Sequence, residues 1–181
     1  MAGNLYAVNT DTPQMVLLFG PADTAREQEE HRSAYEQITG VSEGINRVRN
    51  LVRNAADSSS CVLIRAENGL GKEMYARAIH DESDRWNKPY VWVDCSDLPD
   101  QDAERFLFGV AGSKNGARGK AGRIEMAAGG TLFLDNIGAL PMYLQRRLMR
   151  LLEQKEIVRI GSSHPKKVDV RIVAAANRDL A

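Results

Sequence analysis

The octapeptide Ala66-Glu67-Asn68-Gly69-Leu70-Gly71-Lys72-Glu73 concentrates the residue types of this sequence that can hold phosphate. Gly69 and Gly71 let backbone N–H groups turn inward on an anion. Lys72 supplies a cation for the terminal phosphates, and a helix opening at the lysine adds the partial positive charge of its N-terminus. The apolar run Cys61-Val62-Leu63-Ile64 precedes it, and a strand–loop–helix setting is what separates a phosphate loop from a chance match. Two positions depart from the usual pattern: Ala66 stands at the first glycine, and Glu73 where a serine or threonine would hold magnesium. By itself the octapeptide also fits a glycine turn that enters a helix and leaves its lysine in water.

A second set of residues sharpens the reading. Gly129-Gly130 introduce Thr131-Leu132-Phe133-Leu134, an apolar run that closes on Asp135, a carboxylate placed to order magnesium directly or through water. A strand that ends in aspartate is common alone; paired with a phosphate loop it points to nucleotide binding with Mg2+. Asp94 closes the run Tyr90 to Val93, Asn136 follows Asp135, and Asn177 follows the run Val170 to Ala174.

The elements that must position these groups read as alternating strands and helices. Ile45, Val48, Leu51 and Val52 recur at helical spacing after Ser42, and a helix from Lys72 to Arg85 follows the phosphate loop. A short helix spans Asp102 to Phe108, and Leu144, Leu148, Leu151 and Leu152 make an amphipathic helix after Pro141. Glu156 to Ile160 and Lys167 to Asp169 form a small hairpin. The four apolar runs have the form of parallel strands covered on both faces. The expected class is therefore α/β, a three-layer fold with a central parallel sheet, and ligands bind such sheets beyond the strand C-terminal ends. Residues 1–37 read as an N-terminal extension, in which Met15 to Phe19 could pair with an open edge of the sheet, and residues 38–181 as the nucleotide-binding domain.

Composition excludes several classes. With 24 basic against 24 acidic residues there is no global pull toward nucleic acid or membrane surface. Cys61 and Cys95 are too few for a disulfide framework or a CxxC site and read as buried, reduced thiols. His31, His80 and His164 have no metal-ligand spacing and fit surface or helix-packing roles, and Trp86 and Trp92 fit packing. No apolar run is long enough to span a bilayer and no secretory signal opens the chain, so a cytoplasmic location is expected.

The strings ENGLGKE, FLFG, GRIEMAAGGTLFLDNIGALP, LQRRLMRLLEQKEIVRIG and VDVRIVAAANRDLA occur in this order. Together they resemble the AAA+ ATPase domain of bacterial sigma-54-dependent transcription activators, from about Ile38 to Ala181. The resemblance implies a P-loop NTPase α/β subdomain in which residues 66–73 wrap the phosphates of ATP or ADP, Asp135 serves Mg2+, and Asn177 falls on the sensor asparagine. It makes Glu73 a family trait.

Two departures stand out. The family's strand ends in Asp-Glu, with the glutamate polarising the attacking water; here it ends in Asp135-Asn136, and an amide cannot take the proton. Asp94 stands where the family has an asparagine, so an exchange of acid and amide between the two positions would make Asn136 and Asp94 the catalytic candidates; the alternative is that Asp94 is a plain polar residue at a strand end. The interval Val110 to Ala121 carries no GAFTGA string, the family's contact to sigma-54; Lys114, Arg118 and Lys120 in it could meet an acidic partner, or the loop is simply solvated. Arg146, Arg147, Arg150, Arg159 and Arg171 are candidates for subunit contacts.

The resemblance further implies that the arginine fingers, the helical lid and the DNA-reading helix-turn-helix belong to segments beyond Ala181. Contact with DNA would come only through those segments, and a homo-oligomer is implied for a full-length form. The expected function is an ATP/ADP-binding module of a transcription regulator with weak or absent hydrolysis, its partner an RNA polymerase sigma factor or a related activator. The alternative is a degenerate, non-hydrolysing interaction module that regulates a related activator.

Overall fold

The computed structural model describes residues 5–6, 17–18, 33–67, 69–112 and 118–177. Four parallel strands form the central sheet: β3 (Val62–Arg65), β4 (Tyr90–Asp94), β5 (Thr131–Asp135) and β8 (Arg171–Ala176), in the order β3-β8-β5-β4. The last strand in sequence is inserted between the first and third, so the C-terminal ends of all four lie along one edge.

Side chains alternate across this sheet and feed two cores. Val93, Leu132, Leu134, Val170 and Ile172 pack against α3 (Asp100–Phe108), α4 (Arg123–Met126) and α5 (Met142–Gln154) on one face. Val62, Ile64, Phe133, Val173 and Ala175 pack against α1 (Glu43–Asp57) and α2 (Lys72–Asp81) on the other. Because β5 and β8 are covered on both sides, their sequences are continuous apolar runs without the alternation of a half-exposed strand.

Local chemistry sets the helix ends. The Ser42 hydroxyl accepts the Ile45 N–H at 3.3 Å and starts α1. No basic residue of α1 itself lies in its last turn. That end is served from the sheet by Arg171, which is 2% exposed and donates to the carbonyls of Ala55, Ala56 and Ser60. Arg171 thus locks β8 to α1 and lies too deep to touch a neighbouring subunit. Helix α2 stops at Asp81, short of the expected Arg85. The Ser83 hydroxyl donates to the His80 carbonyl at 2.7 Å, and Arg85 turns away to Asp169 at 2.9 Å and the Gly130 carbonyl at 3.2 Å. Gly130 is required where it is: a Cβ there would sit 1.9 Å from the Pro89 oxygen.

Outside the sheet, β1 (Leu5–Tyr6) and β2 (Leu17–Leu18) pair antiparallel, and β2 lies alongside β3 without forming a ladder to it among the described residues. The hairpin of β6 (Glu156–Ile157) and β7 (Lys166–Lys167) is as expected. Other expectations are corrected: Cys61 is exposed while Cys95 is buried, and Trp86 and Trp92, read as packing residues, keep 38% and 48% of their surface. Arg147 is taken up by Glu104 and the Phe108 ring, leaving Arg146 and Arg150 as the exposed arginines of α5. Arg159 is held in a bidentate pair by Glu125 at 2.6 Å. No helix among the described residues is long and apolar enough to cross a membrane.

Candidate functional site

The strand order places, from one side to the other along the C-terminal edge, the loop after β3, Asn177 after β8, Asp135 and Asn136 after β5, and Asp94 after β4. Residues far apart in the chain therefore face one cleft, because parallel crossovers return each strand end to the same side.

The loop is built by its glycines. Gly69 has φ +83° and Gly71 φ +68°, a left-handed conformation in which a side chain other than glycine is strained. Gly71 is the N-cap of α2, and no side chain caps that end. A Cβ added at Gly69 would meet nothing within 4 Å, so the position is held to glycine by its backbone conformation and not by crowding. Ala66 needs no glycine: it is buried and continues the strand, its N–H donating to the Ala176 carbonyl at 3.2 Å. Lys72 is 7% exposed, and its ammonium lies under the loop, donating to the carbonyls of Glu67 at 3.3 Å and Ala66 at 3.5 Å. Leu70 N–H donates to the Glu67 carbonyl at 3.4 Å. Glu67 and Glu73 are exposed beside it; Asn68 lies outside the described residues.

Asp135 and Asp94 are register partners at the ends of β5 and β4. The Asn136 N–H donates to Asp135 Oδ1 at 2.8 Å, and Asn136 adopts φ +50°, a left-handed turn that asparagine tolerates better than most residues. This turn aims its amide back across the edge, where Nδ2 donates to Asp94 Oδ1 at 3.1 Å. The same oxygen accepts the Ser96 N–H at 2.9 Å and the Ser96 hydroxyl at 2.7 Å. Burial alone raises the Asp94 carboxyl, but the hydrogen bonds from Ser96 and Asn136 and the charge of Lys72 outweigh it and hold the group below the ordinary aspartate range. Cys95, between the two carboxylates, is pushed up to about 12 by burial and then by the charges of Asp94 and Asp135, which makes it a poor nucleophile.

No cluster of three or more His, Cys, Asp or Glu residues among those described could hold a metal alone. One carboxylate, Asp135, beside a phosphate loop is the arrangement that suits Mg2+, which takes most of its ligands from phosphates and water. The described nucleotide-site candidates, Ala66, Glu67, Gly69 to Glu73, Asp94, Asp135, Asn136 and Asn177, thus lie along this edge. Ser96 was missed, although the Asp94-x-Ser96 spacing is the signal of a side chain bonded to the backbone two residues on. Two cavities lie elsewhere, one of about 550 Å³ between α3 and α4 and one of about 730 Å³ beside Tyr35 and Arg49.

Comparison with known proteins agrees with this architecture. The sigma-54 interaction domain family matches residues 38–181. The putative uric acid sigma-54-dependent transcriptional regulator UacR of Escherichia coli K12 is 45% identical over 81% of this chain and 25% of its own length. The anaerobic nitric oxide reductase transcription regulator NorR of Aeromonas salmonicida is 45% identical over 80% of this chain and 29% of its own. The chain therefore spans only about a quarter of the curated relatives it matches. Among solved structures, NtrX from Brucella abortus superposes with a TM-score of 0.72 at 32% identity, covering 81% of this chain and 33% of that one, and has been solved in complex with ADP and with ATP. The chain belongs to the sigma-54 interaction domain family, the AAA+ domain of sigma-54-dependent transcription regulators.

Proposed function

We propose that this chain binds ATP or ADP with Mg2+ at the C-terminal edge of its sheet and serves as the nucleotide-responsive module of a transcription regulator, hydrolysing ATP slowly. The observation that carries the reading is the pairing of a left-handed Gly69–Gly71 loop, which opens α2 beside the buried Lys72, with Asp135 on the same edge. The backbone N–H groups of residues 67–73 would cradle the β and γ phosphates, and Lys72 would exchange its loop carbonyls for phosphate oxygens. Asp135 would hold Mg2+ through water, the metal neutralising charge between the two terminal phosphates. Asn177, just past the end of β8 between the loop and Asp135, would read the terminal phosphate. The complexes of NtrX with ADP and ATP support the ligand class.

Slow turnover follows from Asn136, an amide where the family's carboxylate would polarise water; a base that is missing from its usual place, or displaced from it, costs up to about a hundredfold to ten-thousandfold. The unit that does this is residues 38–181, with 1–37 as an extension, working in the cytoplasm. A sigma factor or a related activator is the proposed partner, reached from a homo-oligomer of the full-length protein, and any DNA contact belongs to other segments.

Thermal unfolding with Mg-ATP, Mg-ADP and AMP tests the reading. At a hundredfold excess over Kd, ATP and ADP should each add about 2.7 kcal/mol of stability, roughly 5–10 °C at this chain length, and AMP much less. No shift with any nucleotide would favour the second reading, a degenerate interaction module, for which Ala66 and Asn136 speak.

A further inference from the structure

Asp94 is the carboxylate of this edge that three hydrogen bonds fix through one oxygen while the other stays open. Its Oδ1 is saturated by Ser96 N–H, Ser96 hydroxyl and Asn136 Nδ2, whereas Oδ2 makes no hydrogen bond among the described residues. Three donors on one oxygen fix the carboxylate plane, as a positioned base requires, and leave the lone pairs of the other oxygen available. Asp135, by contrast, accepts the Asn136 N–H and is the residue suited to the metal. Glu67 and Glu73 are exposed on the loop and the first turn of α2, where no hydrogen bond among the described residues holds their carboxylates. Asn136 offers an amide only. Lys72 acts on Asp94 electrostatically, so the carboxylate stands within the field of the group that meets the terminal phosphate.

We infer that Asp94 is the proton acceptor for the attacking water, with Asn136 and Ser96 as its positioning residues; the inference rests on the reading that the chain binds Mg-ATP. The water oxygen bonds to the γ-phosphorus as its proton passes to Asp94 Oδ2. The bond from the γ-phosphorus to the β-bridging oxygen breaks, ADP leaves with the electron pair, and the proton passes on to the released phosphate or to solvent. The arrangement keeps an acid and an amide facing each other across β4 and β5 but puts the acid on β4.

Single-turnover hydrolysis by the whole chain in excess over Mg-ATP, together with calorimetric binding of ATP and ADP, tests this. Asp94→Asn, nearly isosteric and able to keep its partners, should slow phosphate release by about a hundredfold. It should leave ADP affinity unchanged and bind ATP at least as tightly, since a negative charge facing the terminal phosphate is gone. Adding Asn136→Glu to it should restore about tenfold or more of the lost rate by supplying the carboxylate from β5. Asp97→Asn, an exposed neighbour, should hydrolyse as the parent does. Equal rates for the parent and Asp94→Asn, with ATP bound to both, would overturn the assignment while leaving nucleotide binding intact. A parent that binds no ATP would instead remove the reading on which it rests.

Discussion

Acidification from pH 7 to pH 5 should weaken this fold by about 2 kcal/mol through one side chain, His80. The ring is 1% exposed, shares a 2.9 Å hydrogen bond with the Thr131 hydroxyl and lies 5.1 Å from the Tyr90 ring. Burial lowers its pKa to about 4, against 6.5 in the unfolded chain, the Asp81 charge only partly opposing. Between those values the unfolded chain binds a proton that the folded chain refuses. Stability is therefore complete above the unfolded value and falls as the pH drops toward the folded one. The full window is worth about 3 kcal/mol, of which about 2 is lost by pH 5, or roughly 4–8 °C in Tm. Glu125 does not interfere: hydrogen bonds from Arg159 pull its pKa from 4.5 to about 2, so its contribution is intact at pH 5 and is lost only as the pH falls from 4.5 toward 2. Urea unfolding of the parent and of His80→Asn at both pH values isolates the effect, since asparagine can still bond to Thr131 but does not titrate. The parent should lose about 2 kcal/mol more than the variant. Equal losses would refute the reasoning. Because His80 lies on α2 and Thr131 on β5, the same bond ties the helix that carries Lys72 to the strand that carries Asp135.

Other substitutions probe the remaining joints. Gly69→Ala and Gly129→Ala, at φ +83° and +78° with open space around both, should each cost about 1 kcal/mol in urea unfolding. Only the first should also weaken ATP binding by calorimetry, about tenfold or more, because strain at that position opposes the left-handed turn of the proposed phosphate loop. Arg171→Met should lower stability by about 3 kcal/mol by stripping a charged donor from the carbonyls of Ala55, Ala56 and Ser60. Glu125→Gln, which breaks the pairs with Arg159 and Lys166, should cost roughly 1–3 kcal/mol at neutral pH. The gap to the parent should close as the pH falls from 4.5 toward 2, where the parent carboxyl takes up its proton.

The sheet strands were legible because each is a bounded apolar run with a polar stop: Thr131 to Leu134 closing on Asp135 needs no further context. Their spatial order was not, since the insertion of β8 between β3 and β5 is decided by which faces α1 and α5 must cover. That the candidate site residues share one edge was legible for the same reason, each sitting at or just after a strand end. What escaped the sequence were interactions made at long range by side chains that look ordinary locally. Arg171 reads as a surface cation on a strand until the end of α1 is seen to lie over it. His80 reads as a helix residue until Thr131 is found beneath it. Trp92 reads as core but lies on β4, the edge strand, where no further strand covers it among the described residues.

Titration calorimetry of Mg-ATP into the whole chain and into Lys72→Ala tests the central claim most directly. The account predicts one site with a micromolar Kd for the parent and no measurable heat for the variant. Silence from the parent, or equal affinity in both, would contradict it.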